Sequence, residues 1–318
     1  MVNAALNIVQ AFRDLHYKGY NYQDLNDGNF SINPITGDVL ICDNDNVMGH
    51  GQSSGVEGKA RYMAPEVVRG EKTPDRHTDR FSLAVVLFIL LIGDHPLEGK
   101  KTNVPCLTNT HDKKFFGTEP LFMYDEQNDE NRPVQNKHVN AIMFWPYFPD
   151  FIQDAFKQSF SKDSLLQSKK RLSGQEWLHL LVRLKSSIIK CPHCGSEMFI
   201  KHIGKTACPD CKKDVTAIGY LKFAKKRSNL EMIIPVYEGV KLYDYHINDS
   251  SDNYQTVVAN ILVKPGKFGL ENKSKNRWTV ISADGSTNTK QPDETVLLTA
   301  GVKIDFGNGN IVEIISNN

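Results

Sequence analysis

The chain has 318 residues, 40% of them hydrophobic, and a formal net charge of +1 at pH 7. That length allows two or three domains with ordinary cores. The charge gives no electrostatic reason for a nucleic-acid or anionic-membrane partner, and the longest apolar run, residues 83–92, is too short to span a bilayer.

Met1 leads into apolar positions Val2, Ala5, Leu6, Val9, Phe12 and Leu15, the stripe of an amphipathic helix that Gly19 ends. A basic stretch followed by an apolar run is not read there, so no secretory signal is expected. Six cysteines include two C-x-x-C pairs, which point to metal rather than disulfides in a reducing compartment. The cytoplasm is the expected location.

Next comes the stretch 22–45, YQDLNDGNFSINPITGDVLICDND. Ile32 and the run 39–41 read as two short strands joined by the turn 33–38, a hairpin whose ends meet. Asn29 and Asp43 should then face one another. An amide oxygen beside a carboxylate can hold Mg²⁺ against polyphosphate. Asp24, at the neck of the preceding loop, can orient a hydroxyl nucleophile. Cys42, next to Asp43, reads as a small buried residue.

Tyr22-Gln23-Asp24 with Asn29, followed by Asp43-Asn44-Asp45, resembles the catalytic loop and metal motif of protein kinases. Three later motifs, in the expected order, strengthen the likeness. Residues 61–66, RYMAPE, resemble the end of an activation segment, and 77–84 resemble the start of the buried helix F. Arg171, in KKRLSGQEW, is similar to the late arginine that pairs with the A-P-E glutamate, here Glu66. The resemblance covers residues 1–187. It implies the large lobe of a Ser/Thr-type kinase that moves the γ-phosphoryl group of ATP to a protein hydroxyl. Asp24 would orient the substrate, Asn29 and Asp43 would hold Mg²⁺ and ATP, and Glu66, Asp79 and Arg171 would be structural. Asp79 would accept backbone bonds from the catalytic loop.

Several positions depart from that pattern. Gln23 stands where regulated kinases usually carry Arg, so activation through phosphorylation of the following loop is not expected; Ser53 and Ser54 read as plain loop residues in an exposed segment 46–59. Ser/Thr kinases usually carry Lys at the position of Asn26 and Thr at that of Lys59. One site has lost a cation and its neighbour has gained one. Either Lys59 turns its ammonium toward Asp24 and the phosphate site, acting in catalysis, or it extends into solvent. A glycine-rich loop, a strand lysine and a partner glutamate helix are missing ahead of the catalytic loop. The resemblance therefore implies an absent small lobe, in a fragment of a longer protein or a natural chain with half a nucleotide site, the fragment being preferred.

Helix F, from Asp79 to Gly93, is apolar all round and should be buried. Residues 94–150 read as irregular, and the aromatics at 144–148 as core or groove lining. Two amphipathic helices, 151–160 and 174–187, should close the lobe. Cys191, Cys194, Cys208 and Cys211 then form two knuckles that can present four thiolates to a structural Zn²⁺, a zinc ribbon over 188–218. His193 and His202 are surplus to it. Short strands from residue 231 onward read as a small β-sandwich. GLENKSKNRWTV followed by GVKIDFGNG resembles an FHA domain over 228–318. Phosphopeptide binding and plain protein docking both stay open there, since the Ser-x-x-His arrangement is missing.

The expected fold is thus multidomain α+β: a mainly helical lobe, a zinc ribbon and an all-β sandwich. The arrangement is similar to bacterial kinases of tellurite-resistance-type gene clusters. The alternative function is a pseudokinase scaffold that recruits partner proteins through its zinc and β domains.

Overall fold

The structure, a computed structural model, describes residues 1–49, 52, 58–201, 204–224, 229–264, 266–307 and 310–317. Ser53, Ser54 and His202 lie outside the described residues. Contacts divide the chain into two units, Met1–Leu178 and His179–Asn318. That division falls before residue 187, where the sequence places the end of the first domain.

The first unit opens with α1 (Val2–Tyr17), whose buried face is Val2, Ala4, Ala5, Leu6, Ile8, Val9 and Phe12. Gly19, at φ 84, turns the chain out of it in a conformation that costs glycine little. Four short strands follow: β1 (Tyr20–Tyr22), β2 (Phe30–Ile32), β3 (Val39–Ile41) and β4 (Val47–Gly49). β2 and β3 form the antiparallel hairpin, with Phe30 opposite Ile41 and Ile32 opposite Val39. β4 pairs with β1, Tyr22 opposite Val47, and Asn46 is buried beside it. The start of the segment expected to be an exposed loop is therefore ordered. Pairing with a distant strand, not its own pattern, gives it structure.

After α2 (Pro65–Val68) comes α3 (Arg76–Ile92), the central helix of the unit. It begins earlier than its apolar run because Asp75 caps it. The Asp75 carboxylate accepts from the His77 and Thr78 amides, while the Thr78 hydroxyl accepts from the Asp75 amide. Gly93, at φ 88, ends it. Residues 81–88 are buried without interruption. Phe88 packs edge-on against Phe122 and Phe156, and Trp145 stacks on Tyr124 at 4.4 Å. Phe144 is exposed, so the aromatic run 144–148 contributes core only in part. Further α-helices are α4 (Asn109–Asp112), α5 (Val139–Phe144), α6 (Asp150–Ser159) and α7 (Lys162–Leu166), and α8 (Gly174–Lys185) begins in this unit and ends in the second.

The second unit starts with two hairpins, β5 (Ile188–Lys190) with β6 (Glu197–Phe199) and β7 (Lys205–Ala207) with β8 (Asp214–Thr216). Two sheets follow. The strands are β9 (Gly219–Phe223), β10 (Ile233–Pro235), β11 (Lys241–Tyr243), β12 (Val257–Lys264), β13 (Lys267–Asn272), β14 (Trp278–Ile281), β15 (Thr287–Lys290), β16 (Thr295–Leu297), β17 (Lys303–Asp305) and β18 (Ile311–Ser316). One sheet runs β10-β9-β18-β17-β14-β15 and the other β11-β12-β13-β16, all neighbours antiparallel. Trp278, Phe306, Ile304, Val312 and Leu221 from the first sheet, and Leu242, Ile261 and Leu270 from the second, are fully buried. Alternation on β17 and β18 sends one face inward and one to solvent. β9 enters the larger sheet ahead of residue 228, so the sheet starts earlier than the sequence pattern marks it.

Candidate active site and metal centre

The loop between β1 and β2 is held from three directions. The buried Asp79 carboxylate of α3 accepts from the Tyr22 amide at 2.9 Å, and its Oδ2 lies 2.9 Å from His16 Nε2. Burial pushes the Asp79 pKa up, and His16 beside it opposes that shift. The Gln23 amide donates to the Asn46 carbonyl at 3.0 Å. Within the loop, Asn26 caps the single turn Asp27–Asn29, accepting from the Gly28 amide at 3.0 Å and donating to the Asp24 carbonyl at 3.0 Å.

Asn29 is buried and both of its side-chain bonds are donations. Nδ2 gives one hydrogen to the Asp24 carbonyl at 2.8 Å and the other to the Tyr22 hydroxyl at 3.1 Å. The amide oxygen accepts no hydrogen bond from the described residues and keeps its lone pairs. Across the hairpin, the Cys42 amide donates to the Asn29 carbonyl at 2.9 Å, which sets residue 43 next to residue 29. Cys42 itself is exposed, not buried; it stands just past the paired end of the two-stranded hairpin. Asp43 is exposed and left-handed, at φ 62 and ψ 49, a conformation that asparagine and aspartate tolerate best among residues with a Cβ.

The half-buried Asp24 carboxylate accepts no hydrogen bond from the described residues. Gly58 packs over it: a Cβ there would lie 3.4 Å from Asp24 Oδ1 and 3.3 Å from the Gln23 carbonyl. Lys59 follows. Its ammonium donates to Asn26 Oδ1 at 3.3 Å and makes no ion pair with Asp24. The lysine thus meets Asn26, where the sequence reading left open an ammonium directed at Asp24 and the phosphate site or one extended into solvent.

Glu66 and Arg171 meet in a two-pronged pair, with NH1 and NH2 donating at 2.8 and 2.7 Å. Arg171 also donates to the carbonyls of Ser164 at 2.9 Å and His77 at 3.1 Å, and it lies over the Phe81 ring. It ties α2, α3 and α7 behind the loop.

In the second unit, the thiol sulphurs of Cys191, Cys194, Cys208 and Cys211 all lie within 4.8 Å of one another. The Cys191–Cys211 and Cys194–Cys208 sulphurs are each 3.7 Å apart. A tetrahedron with Zn–S bonds of about 2.3 Å has edges of roughly 3.8 Å, so four thiolates here could hold a zinc ion. Two tight turns present them: the Gly195 amide donates to the Cys191 carbonyl and the Lys212 amide to the Cys208 carbonyl, both turns closing on a left-handed residue. His193 is exposed and takes no part.

One contributor escaped the sequence reading. The Tyr22 side chain is buried, and its hydroxyl donates to the Cys42 carbonyl at 2.6 Å, with the Asp43 carbonyl at 3.1 Å. No spacing in the sequence signals a phenol reaching across twenty residues.

Set against known proteins, residues 1–182 match the sequence profile described as the protein kinase domain. Over 229 residues the chain is 24% identical to protein kinase YegI of Escherichia coli strain K12, covering 69% of this chain and 34% of that protein. It is 34% identical over 101 residues to a probable serine/threonine-protein kinase PknB of Bifidobacterium longum, 30% of this chain and 14% of that one. A striated muscle preferentially expressed protein kinase of Danio rerio is 26% identical over 208 residues, 64% of this chain and 6% of its own length. The chain spans about a third or less of each of these relatives.

Proposed function

The chain belongs to the protein kinase domain family through residues 1–182, and on that premise we propose that it supplies the large lobe of a Ser/Thr-type protein kinase. The observation that carries this reading is the spending of both Asn29 N–H groups on Asp24 and Tyr22. It leaves the amide oxygen as a hard donor, while the Cys42 amide bond to the Asn29 carbonyl brings the chain next to the exposed Asp43 against the same residue; amide and carboxylate oxygens suit Mg²⁺ with nucleotide phosphates.

In this mechanism Asp24 accepts the proton of the substrate hydroxyl, its oxygens accepting no hydrogen bond from the described residues. Asn29 and Asp43 would hold Mg²⁺, which would supply the positive charge that neutralises the nucleotide phosphates. Lys59 supplies a cation at the same mouth, beside Asn26. The Glu66–Arg171 pair and Asp79 fix the loop and the segment around it, so little reorganisation is needed when the hydroxyl arrives. The substrate is a protein hydroxyl. The four cysteines would hold Zn²⁺ as the stabilising ion of a ribbon over 188–218, a segment too small to bury a sufficient core alone. The two sheets from β9 onward would serve as an FHA-like module for docking a partner protein.

The test is Mg·ATP binding by calorimetry, together with transfer of labelled phosphate to casein, in the wild type, Asp43→Asn and Asp24→Asn. The reading expects Asp43→Asn to weaken metal-dependent nucleotide binding, and Asp24→Asn to spare binding but remove any transfer. Binding unaffected by Asp43→Asn would overturn it and favour the scaffold, for which the exchange of neighbours at Tyr22, Gln23, Asn26, Asn44 and Asp45 gives some ground.

A further inference from the structure

In the second unit α8 ends on Lys185, whose side chain is half-buried. Two buried phenol rings flank its ammonium. Nζ lies 4.3 Å from the ring centroid of Tyr243, the last residue of β11, and 5.7 Å from that of Tyr254. Among the described residues its hydrogen-bond acceptor is the Tyr254 carbonyl, at 3.0 Å, and it makes no ion pair with a carboxylate. The other titratable groups felt there offer no negative charge. Lys241, the first residue of β11, repels the ammonium, and the buried His246 ring is neutral. Ring faces attract a cation, but two of them and one carbonyl stand in for both a counter-ion and the lost water.

We propose that Lys185 is a reactive amine, a site of N-acylation by acyl phosphates. A positive charge half out of water, beside a second lysine and without a carboxylate, is disfavoured relative to one in solvent. Burial first, and Lys241 second, push its pKa down to about 8. Near pH 7.5 about a quarter of such amines are neutral, against about one in a thousand for an ordinary lysine. The neutral nitrogen attacks the acyl carbon. A C–N bond forms, the C–O bond to phosphate breaks, and the proton that the nitrogen sheds leaves with the phosphate. Two adjacent cations favour the approach of an anionic donor over a neutral one. The product amide keeps an N–H for the Tyr254 carbonyl and ends the repulsion from Lys241, so the surrounding fold accommodates it. None of these residues belongs to the kinase site, and the reaction is independent of it.

The experiment treats the full chain, reduced and loaded with zinc, with acetyl phosphate. Peptide mass spectrometry at short times gives the acetylation rate at each lysine, with the exposed Lys190, Lys205 and Lys303 as references. Lower basicity also weakens nucleophilic attack, as it does for thiols, so near pH 7.5 Lys185 should react about tenfold faster than the references rather than by the full ratio of neutral amine. Its rate should level off above about pH 8.5 while theirs keep climbing. In concentrated urea, which takes the rings away, Lys185 should fall to the reference rate. A ratio below about fivefold in the folded chain overturns the proposal, as does a rate that climbs with pH alongside the references. A preference that survives urea overturns it too, because the neighbouring sequence and not the fold would then be its cause.

Discussion

Replacing Arg171 with methionine tests how much of the first unit rests on one buried cation. Arg171 makes four hydrogen bonds, two to Glu66 and one each to the carbonyls of Ser164 and His77, and its side chain is 1% exposed. Methionine keeps the aliphatic volume over Phe81 but leaves the Glu66 carboxylate, 14% exposed, without its partner. Breaking a buried pair in this way costs about 3–5 kcal/mol, since the stranded charge loses its compensation. For a unit of this size each kcal/mol lowers the melting temperature by about 2–4 °C, so a fall of roughly 6–20 °C is expected. Scanning calorimetry gives the total. Hydrogen exchange read by peptide should place the loss around α2, α7 and the start of α3. Arg171→Met with Glu66→Leu removes the stranded charge too and should recover much of the stability. A single-variant loss under about 1 kcal/mol would mean the pair behaves like a solvent-screened surface pair. A double variant no better than the single would refute the stranded-carboxylate argument.

In an active kinase, Lys59→Met should lower turnover about a hundredfold while leaving the nucleotide KM nearly unchanged, the scale of losing one donor to developing charge; steady-state kinetics decide. Metal analysis of protein kept reduced should find one zinc per chain, the number four thiolates serve, and chelation should loosen β5–β8 while the larger sheets keep their exchange protection. Burial pushes His95 and His246 down to about 3, so each supports the fold while neutral. That support is complete above the unfolded value of about 6.5 and is withdrawn as pH falls from there toward 3, by roughly 3 kcal/mol each at pH 4.5. Chemical denaturation between pH 7 and 4.5 checks it, and His95→Gln and His246→Gln should flatten the slope.

The sequence carried the hairpin of β2 and β3 because its turn, NPITGD, is written in local residue preferences. α1 and α3 were legible for the same reason, one through its stripe and one through its apolar run. β4 was not, since its order comes from β1. β13, KFGLEN, and β15, TNTK, also escaped: the first has only Phe268 and Leu270 as an apolar face, with a glycine between them, and the second is polar and largely exposed. Spacing made Asp24, Asn29 and Asp43 the candidates. Spacing could not supply which atom of Asn29 faces out, or that Lys59 bonds Asn26 instead of meeting Asp24. Those depend on hydrogen bonds between segments far apart in the chain.

The left-handed backbone at Asp43 narrows how this site can change over evolutionary time. A left-handed residue with a Cβ costs roughly 1–2 kcal/mol, least for aspartate and asparagine, and glycine escapes the penalty. A drifting lineage can therefore shed the carboxylate most readily through asparagine or glycine. Valine or isoleucine there would lose the charge and strain the turn in one step. Among related chains, Asn or Gly at this position would mark a site that gave up its carboxylate while keeping its shape, whereas a β-branched residue would mark one whose loop has been rebuilt.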